Sequence, residues 1–187
     1  MSTIEIENGD VAIERTKIIQ STELIFKKLK ESVNNGSPID FFHAIKFEKI
    51  GCDPLDTTEQ WNLIEQINQA FTYLASLKAS EILFEEHESL KTIKLNLGTT
   101  DGYDLIGTDS MGNDIVVAEV FATVNHRNNA KLRSDIEKVM TSEIDRRYVF
   151  FAADNIQASN PYVGYKPKFD ISRLEKVIAL DHKKLWI

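Results

Sequence analysis

The sequence predicts an α/β protein in which helices flank a central mixed β-sheet. Several segments carry apolar residues at the three-to-four spacing of one helix face, and others alternate or run continuously apolar, as strands do. Along the chain these segments follow the order helix, three strands, helix, strand, helix. A sheet with helices on both faces accommodates that order. The length of 187 residues fits a single domain, over residues 1–187.

Residues 1–55 are predicted to form a helical N-terminal extension. Over residues 11–33 the apolar side chains fall on one helix face, and the sequence Asn-Asn-Gly-Ser-Pro at 34–38 ends that helix. Residues 39–55 fit either a short helix or an irregular segment that contributes core contacts.

Residues 56–155 are predicted to form the core, and residues 156–187 a C-terminal loop and helix. Thr57 and Gln60 have capping-box spacing, which predicts that a helix begins there and runs to about Glu86. Strands are predicted at 92–97, 103–106, 115–122 and 148–152, and further helices at 128–144 and 172–180.

The composition excludes several classes of protein. Cys52 is the only cysteine, so neither an intrachain disulfide nor a cysteine-based zinc site can form. No apolar run approaches the roughly 20 residues that span a bilayer, and the first residues are acidic rather than basic. These features predict a cytoplasmic protein with no membrane partner.

The net charge of -7 is unevenly distributed along the chain. Residues 1–90 carry 8 basic and 16 acidic side chains, whereas residues 160–187 carry 6 basic and 3 acidic ones. A general nucleic-acid coat would be basic throughout. Any contact with a polyanion is therefore expected to be local and to involve the last third of the chain.

One carboxylate, Glu119, lies inside an otherwise apolar predicted strand. Burial of an unpaired charge is costly, so this residue needs a partner. If a four-residue loop (110–113) joins the two strands, Asp104 lies directly opposite Glu119. If instead the loop has three residues and ends in a left-handed Gly112, Asp104 pairs with Ala118 and Glu119 turns to the other face.

Two acidic side chains that face each other across a sheet destabilise it unless their charge is neutralised. A shared proton, a basic side chain or a divalent cation would each do this. A cation held by Asp104 and Glu119 with open coordination positions is what metal-assisted phosphodiester hydrolysis requires.

The residues from Gly102 to Ile106, a glycine-containing loop and the residues from Val116 to Phe121 resemble the metal-binding hairpin of the PD-(D/E)XK, or restriction-endonuclease-like, nuclease superfamily. Those enzymes are built on a helix, three strands, a helix and a strand. The resemblance implies that Asp104 and Glu119 are metal ligands for Mg²⁺ or Mn²⁺. It also implies that a glutamate of the preceding helix, Glu81 or Glu85, joins them.

The sequence departs from the family motif at Phe121. The motif has there a lysine that positions or activates the attacking water, and some members recruit a basic group from the next helix instead. Lys131 occupies the first turns of that helix and is the candidate replacement, with His126 and Arg127 as substitutes. An ordinary surface lysine is the alternative interpretation of Lys131.

The start of that helix is a candidate phosphate-binding segment, because a helix N-terminus presents free N–H groups and the positive end of its dipole. Its candidate DNA-contacting residues are His126, Arg127, Asn128, Asn129 and Arg133. Alternatively, Asn125 or Asn128 only caps the helix and the basic residues are solvated.

These observations and the resemblance predict a metal-dependent DNA endonuclease with Asp104, Glu119 and Lys131 as catalytic residues. The resemblance also implies that it acts as a homodimer. The main alternative is a protein that retains the nuclease fold without the chemistry and binds DNA or another protein. A third interpretation, an interaction protein, follows if the two carboxylates lie on different faces of the sheet.

Overall fold

The structure, a computed structural model, describes residues 2–35, 37–97, 102–125, 130–154 and 156–187. It is a mixed α/β fold, as predicted. The helices are α1 (Val11–Asn35), α2 (Pro38–Phe47), α3 (Leu63–Glu86) and α4 (Lys131–Met140). The strands are β1 (Ser2–Ile6), β2 (Gly51–Cys52), β3 (Gln60–Trp61), β4 (Leu90–Leu97), β5 (Leu105–Asp109), β6 (Asp114–Thr123), β7 (Arg146–Ala153) and β8 (Lys176–Leu180).

The chain divides into two compact units. One contains Met1–Val11, Ala75–Leu185 and Ile187, and the other contains Ala12–Leu74 and Trp186. Within the described parts of both, no helix combines the length and hydropathy that a bilayer span requires.

The first unit is built on a six-stranded sheet with the order β1-β4-β5-β6-β7-β8. Strands β1, β4, β5 and β6 pair antiparallel, whereas β6, β7 and β8 pair parallel. The inner strands β6 and β7 are buried along most of their length. Their near-continuous apolar sequence is typical of strands covered on both faces.

Helix α4 covers one face of this sheet. Its buried residues Leu132, Ile136 and Val139 recur at helical spacing and pack into one cluster with Phe121 of β6 and Phe151 of β7. The Phe121 and Phe151 rings stack with their centroids 5.7 Å apart. Side chains alternate between the faces of a strand, so Glu119, two residues before Phe121, points to the α4 face as well.

The opposite face meets the C-terminal half of α3. Tyr148 of β7 donates a hydrogen bond to Glu86 over 3.3 Å and contacts His87 over 2.9 Å. Lys176 at the start of β8 donates to the same Glu86 carboxylate over 2.6 Å. This polar network joins the end of α3 to the first residues of two parallel strands.

The second unit is helical, with the short β2–β3 ladder attached. Ile18 and Ile25 of α1 and Leu63 of α3 are among its buried residues. The rings of Phe71 and Trp186 meet edge to face at 5.5 Å.

Several predicted elements require correction. The final helix predicted at 172–180 is wrong, because residues 176–180 form strand β8 beside β7. A short run of apolar residues fits both a buried strand and a helix, and pairing with β7 decides between them. Residues 2–6, assigned to the helical extension, form an edge strand of the sheet.

The capping box predicted at Thr57 and Gln60 is also wrong. Gln60 lies in β3, and α3 begins two residues later than Trp61. Asn62 and Glu65 cap that helix instead, since each side chain accepts a hydrogen bond from the backbone N–H of the other.

The β5–β6 hairpin combines features of both predicted loops. The Asp109 N–H donates to the Asn113 carbonyl over 3.0 Å, and Gly112 between them has a left-handed φ of 83°. These features match the three-residue loop (110–112), the shorter of the two loops that the sequence allowed. A bulge between the Thr108–Asp114 and Gly107–Val116 pairs then shifts the register by one residue. As a result Leu105 pairs with Ala118, and continuation of this ladder places Asp104 opposite Glu119.

Replacement of Gly112 by alanine is expected to destabilise the first unit by about 1 kcal/mol, because a Cβ atom is disfavoured in the left-handed region. Gly9→Ala is a matched control. Neither glycine has a heavy atom within 4 Å of an added Cβ, and only Gly112 has a positive φ. Urea denaturation of both variants measures the difference, and equal stabilities would contradict this account of the turn.

Candidate active site

The candidate site centres on Glu119, which is buried to 1% exposure between the apolar residues Ala118 and Val120 of β6. The Nζ atom of Lys138, on α4, lies 2.7 Å from its Oε1 atom. Apart from this ion pair, Oε1 has no polar partner among the described residues. A buried carboxylate in this position is therefore charge-compensated but incompletely satisfied.

Asp104 is the second acidic residue of the site. It lies one residue before β5 and is half-buried. Its Oδ2 atom accepts a hydrogen bond of 2.8 Å from the backbone N–H of Val120, the residue that follows Glu119. The side chain thus takes the place of a backbone acceptor at the end of the ladder, which fixes the Asp104 carboxylate next to β6.

A third carboxylate, Asp135, comes from the sheet-facing side of α4 and is 2% exposed. Lys131, one turn earlier, donates a hydrogen bond of 2.6 Å to its Oδ1 atom. The Oδ2 atom is buried and has no hydrogen-bond partner among the described residues. Positions 131, 135 and 138 recur at one side of the helix, so both lysines and the aspartate belong to a single surface.

The two lysine ammonium groups lie over aromatic rings. Lys131 Nζ is 5.9 Å from the centroid of the Phe121 ring, and Lys138 Nζ is 5.8 Å from that of Tyr103. Both distances are within the range of cation–π attraction. Lys131 therefore places its charge above the ring of Phe121.

The pKa values of these groups follow from burial and from their charged neighbours. Burial, and next the charge of Asp104, raise the pKa of Glu119 to about 7, while the Lys138 ammonium opposes this rise. Burial also raises the pKa of Asp135, against the effect of Lys131. Burial opposes the charged form of Lys131, but Asp135 outweighs it and raises the pKa of that lysine.

Among the described residues, no three acidic, histidine or cysteine side chains are close enough together to hold one metal ion. The donor types nevertheless suit a hard divalent cation. Asp104 and Glu119 offer carboxylate oxygens, and Oε1 of Glu119 has an unfilled hydrogen-bonding position. Lys138 provides the positive charge at that position in the present arrangement.

Other predicted residues do not meet at this site or lie outside the description. His126, Arg127, Asn128 and Asn129 are outside the described residues. Arg133 points along the exposed side of α4, where its Nε atom donates to Glu137 over 2.8 Å. The N-cap of α4 is Ala130, with no side-chain cap, so neither Asn125 nor Asn128 is the cap that the alternative interpretation required.

The glutamates of α3 are not brought to the site. Glu81 accepts a hydrogen bond of 2.8 Å from Lys78 of its own helix, and Glu85 is exposed. The part of α3 that carries them covers the sheet face opposite α4. The expectation that one of them joins Asp104 and Glu119 is therefore not met.

Lys138 and Asp135 were not among the predicted site residues. A signal for Asp135 is present in the sequence, since it lies between Leu132, Ile136 and Val139 on the apolar side of the helix. An acid in that stripe needs a partner for the same reason that Glu119 does. Lys138 is one turn further along the same side.

Comparison of the chain with protein-family models, with curated proteins and with solved structures finds no match.

The raised pKa of Glu119 predicts how stability depends on pH. An unfolded glutamate titrates near pH 4.3, so between about pH 5 and 7 the folded protein binds more protons than the unfolded chain. The free energy of unfolding should therefore fall as the pH rises through this window. This fall should be smaller in Glu119→Gln, by about 1–3 kcal/mol between pH 5 and 7.5.

Chemical denaturation across this pH range provides the measurement. Glu137→Gln is the control, because Glu137 lies on the exposed side of α4. That variant should follow the wild-type pH dependence. Parallel curves for wild type and Glu119→Gln would show that Glu119 does not titrate abnormally.

Proposed function

We propose that this protein is a metal-dependent phosphodiesterase that acts on DNA, with its active site between the β5–β6 hairpin and α4. The observation that carries the proposal is the buried Glu119 carboxylate beside Asp104 in the middle of an apolar sheet. A sheet has no structural need for two neighbouring acids, whereas cation-assisted hydrolysis does.

Asp104 and Glu119 would hold Mg²⁺ or Mn²⁺. When bound, such an ion lowers the pKa of a water molecule and stabilises the negative charge that develops on a phosphate. The backbone N–H of Val120 fixes the orientation of Asp104, and the apolar strand around Glu119 keeps bulk water from that carboxylate. Both effects preorganise the acidic pair.

The basic groups would come from α4. Lys131 lies above the ring of Phe121. In the family motif, a lysine of the strand occupies the position of Phe121. The bond of Lys131 to Asp135 raises its pKa, so it remains protonated at neutral pH and acts through its charge, by attracting the phosphate or by orienting water. Asp135 is then a positioning residue that holds Lys131 over the ring.

The element order also supports this proposal. From α3 to β7 the chain has a helix, three strands, a helix and a strand, the order implied by the resemblance to restriction-endonuclease-like nucleases. DNA as the substrate is favoured by the excess of basic residues in the last part of the chain. Homodimerisation and a cytoplasmic location remain predictions from the sequence.

A second candidate function is a DNA- or protein-binding regulator that keeps the fold without the chemistry. Two observations favour it: Phe121 replaces the lysine of the motif, and Lys138 neutralises Glu119 without any metal. Such a protein would bind its partner equally well with Mn²⁺ or with a chelator.

Cleavage of plasmid DNA with Mg²⁺ or Mn²⁺ distinguishes the two candidates. The wild-type protein should cleave, and Asp104→Asn and Glu119→Gln should each lower the rate by about 100-fold or more, since each removes a ligand of the ion. Glu137→Gln, the same change on the exposed side of α4, should cleave normally. Metal-independent DNA binding without cleavage would instead support the regulator.

A further inference from the structure

The positive charge nearest to Glu119 belongs to the protein itself. Lys138 Nζ lies 2.7 Å from Oε1 of that carboxylate, on an oxygen that a cation bound by Glu119 would use. Two cations cannot occupy one position beside the same oxygen. The ammonium group and a divalent ion are therefore alternatives.

The two partners of this ion pair differ in their freedom to move. Glu119 is 1% exposed and is held inside the sheet, whereas the Lys138 side chain is 41% exposed at the edge of α4. A long lysine side chain can turn its charged end to water while its aliphatic part stays on the protein surface. Only the lysine can therefore leave without a rearrangement of the core.

The ion pair also leaves part of the acidic pair uncompensated. Among the described contacts Lys138 pairs with Glu119, while Asp104 accepts only a backbone hydrogen bond. The charge of Asp104 still disfavours ionised Glu119. A divalent ion would neutralise both carboxylates, whereas the ammonium group pairs with only one. This gain favours displacement of the ammonium group and offsets the cost of separating the ion pair.

We infer that Lys138 is the counterion of Glu119 when no metal is bound, and that it competes with the divalent cation for this carboxylate. This inference rests on the function proposed above. Metal uptake then requires Lys138 to swing away from β6. The lysine stabilises the metal-free protein, and it lowers the affinity of the site for metal.

Lys131 provides a matched control for this inference. It lies on the same side of α4 and carries the same charge, but its ion pair is with Asp135. Lys131→Met and Lys138→Met therefore change the net charge equally, and only the latter removes the group in contact with Glu119. A general electrostatic effect would be similar in both variants, whereas direct competition would be specific to Lys138.

Isothermal titration with Mn²⁺ is the test. Lys138→Met should bind Mn²⁺ about tenfold more tightly or better, because it removes the competing positive charge, and Lys131→Met should change the affinity by less than about threefold. Glu119→Gln should lose this binding. Lys138→Gln, which keeps a donor near Glu119 without the charge, is a second variant that should also bind more tightly.

The melting temperature, measured without substrate, provides a second test. In the absence of metal, Lys138→Met should unfold at a lower temperature than wild type, because Glu119 loses its counterion. Saturating Mn²⁺ should raise the melting temperature of this variant more than that of wild type. The double variant Glu119→Gln/Lys138→Met should regain metal-free stability and show no response to Mn²⁺.

The outcomes separate this inference from the proposed function. Glu119-dependent Mn²⁺ binding that Lys138→Met leaves unchanged, or that both methionine variants tighten equally, would overturn the competition and leave the metal site intact. No Mn²⁺ binding in any variant would overturn the metal site itself, and the inference with it.

Discussion

The site depends on one physical constraint, the burial of a carboxylate in the apolar interior of a sheet. Glu119 is surrounded by the core of β6 and β7, where an uncompensated charge would cost several kcal/mol. Helix α4 supplies the compensation through Lys138, and the same helix packs Leu132, Ile136 and Val139 on the sheet. Hydrophobic packing and charge compensation therefore both hold α4 on strands β6 and β7. The candidate active site lies between this helix and these strands.

The hairpin geometry is equally necessary, because a strand that slips by one residue moves every side chain to the other face. The short turn at the left-handed Gly112 alone would pair Asp104 with Ala118. The bulge beside Gly107 shifts the register back by one residue. Their combined effect directs Glu119 toward α4 and sets Asp104 beside it. A local backbone feature some distance from the carboxylates thus determines whether the two acids form a common site.

The sequence predicted α1 and β4 from their periodic patterns, and β6 and β7 from their continuous apolar runs. It could not predict β8, because the apolar run at 177–180 has only four residues and the pairing with β7 is what identifies it as a strand. The acidic pair was predicted from a buried-charge argument. Lys138 was not, because a lysine on a helix has no distinctive pattern until the helix is placed over the sheet. Asp135 had such a pattern, an acid within an apolar stripe.

The central claim is that Asp104 and Glu119 form a cation site in which Lys138 is the occupant without metal. The most direct measurement is anomalous X-ray diffraction from crystals of the protein grown with and without Mn²⁺. The account predicts an anomalous peak between the carboxylates of Asp104 and Glu119, with the Lys138 side chain turned to solvent only in the Mn²⁺ crystals. A Lys138–Glu119 ion pair that persists in saturating Mn²⁺, with no peak beside either acid, would contradict it.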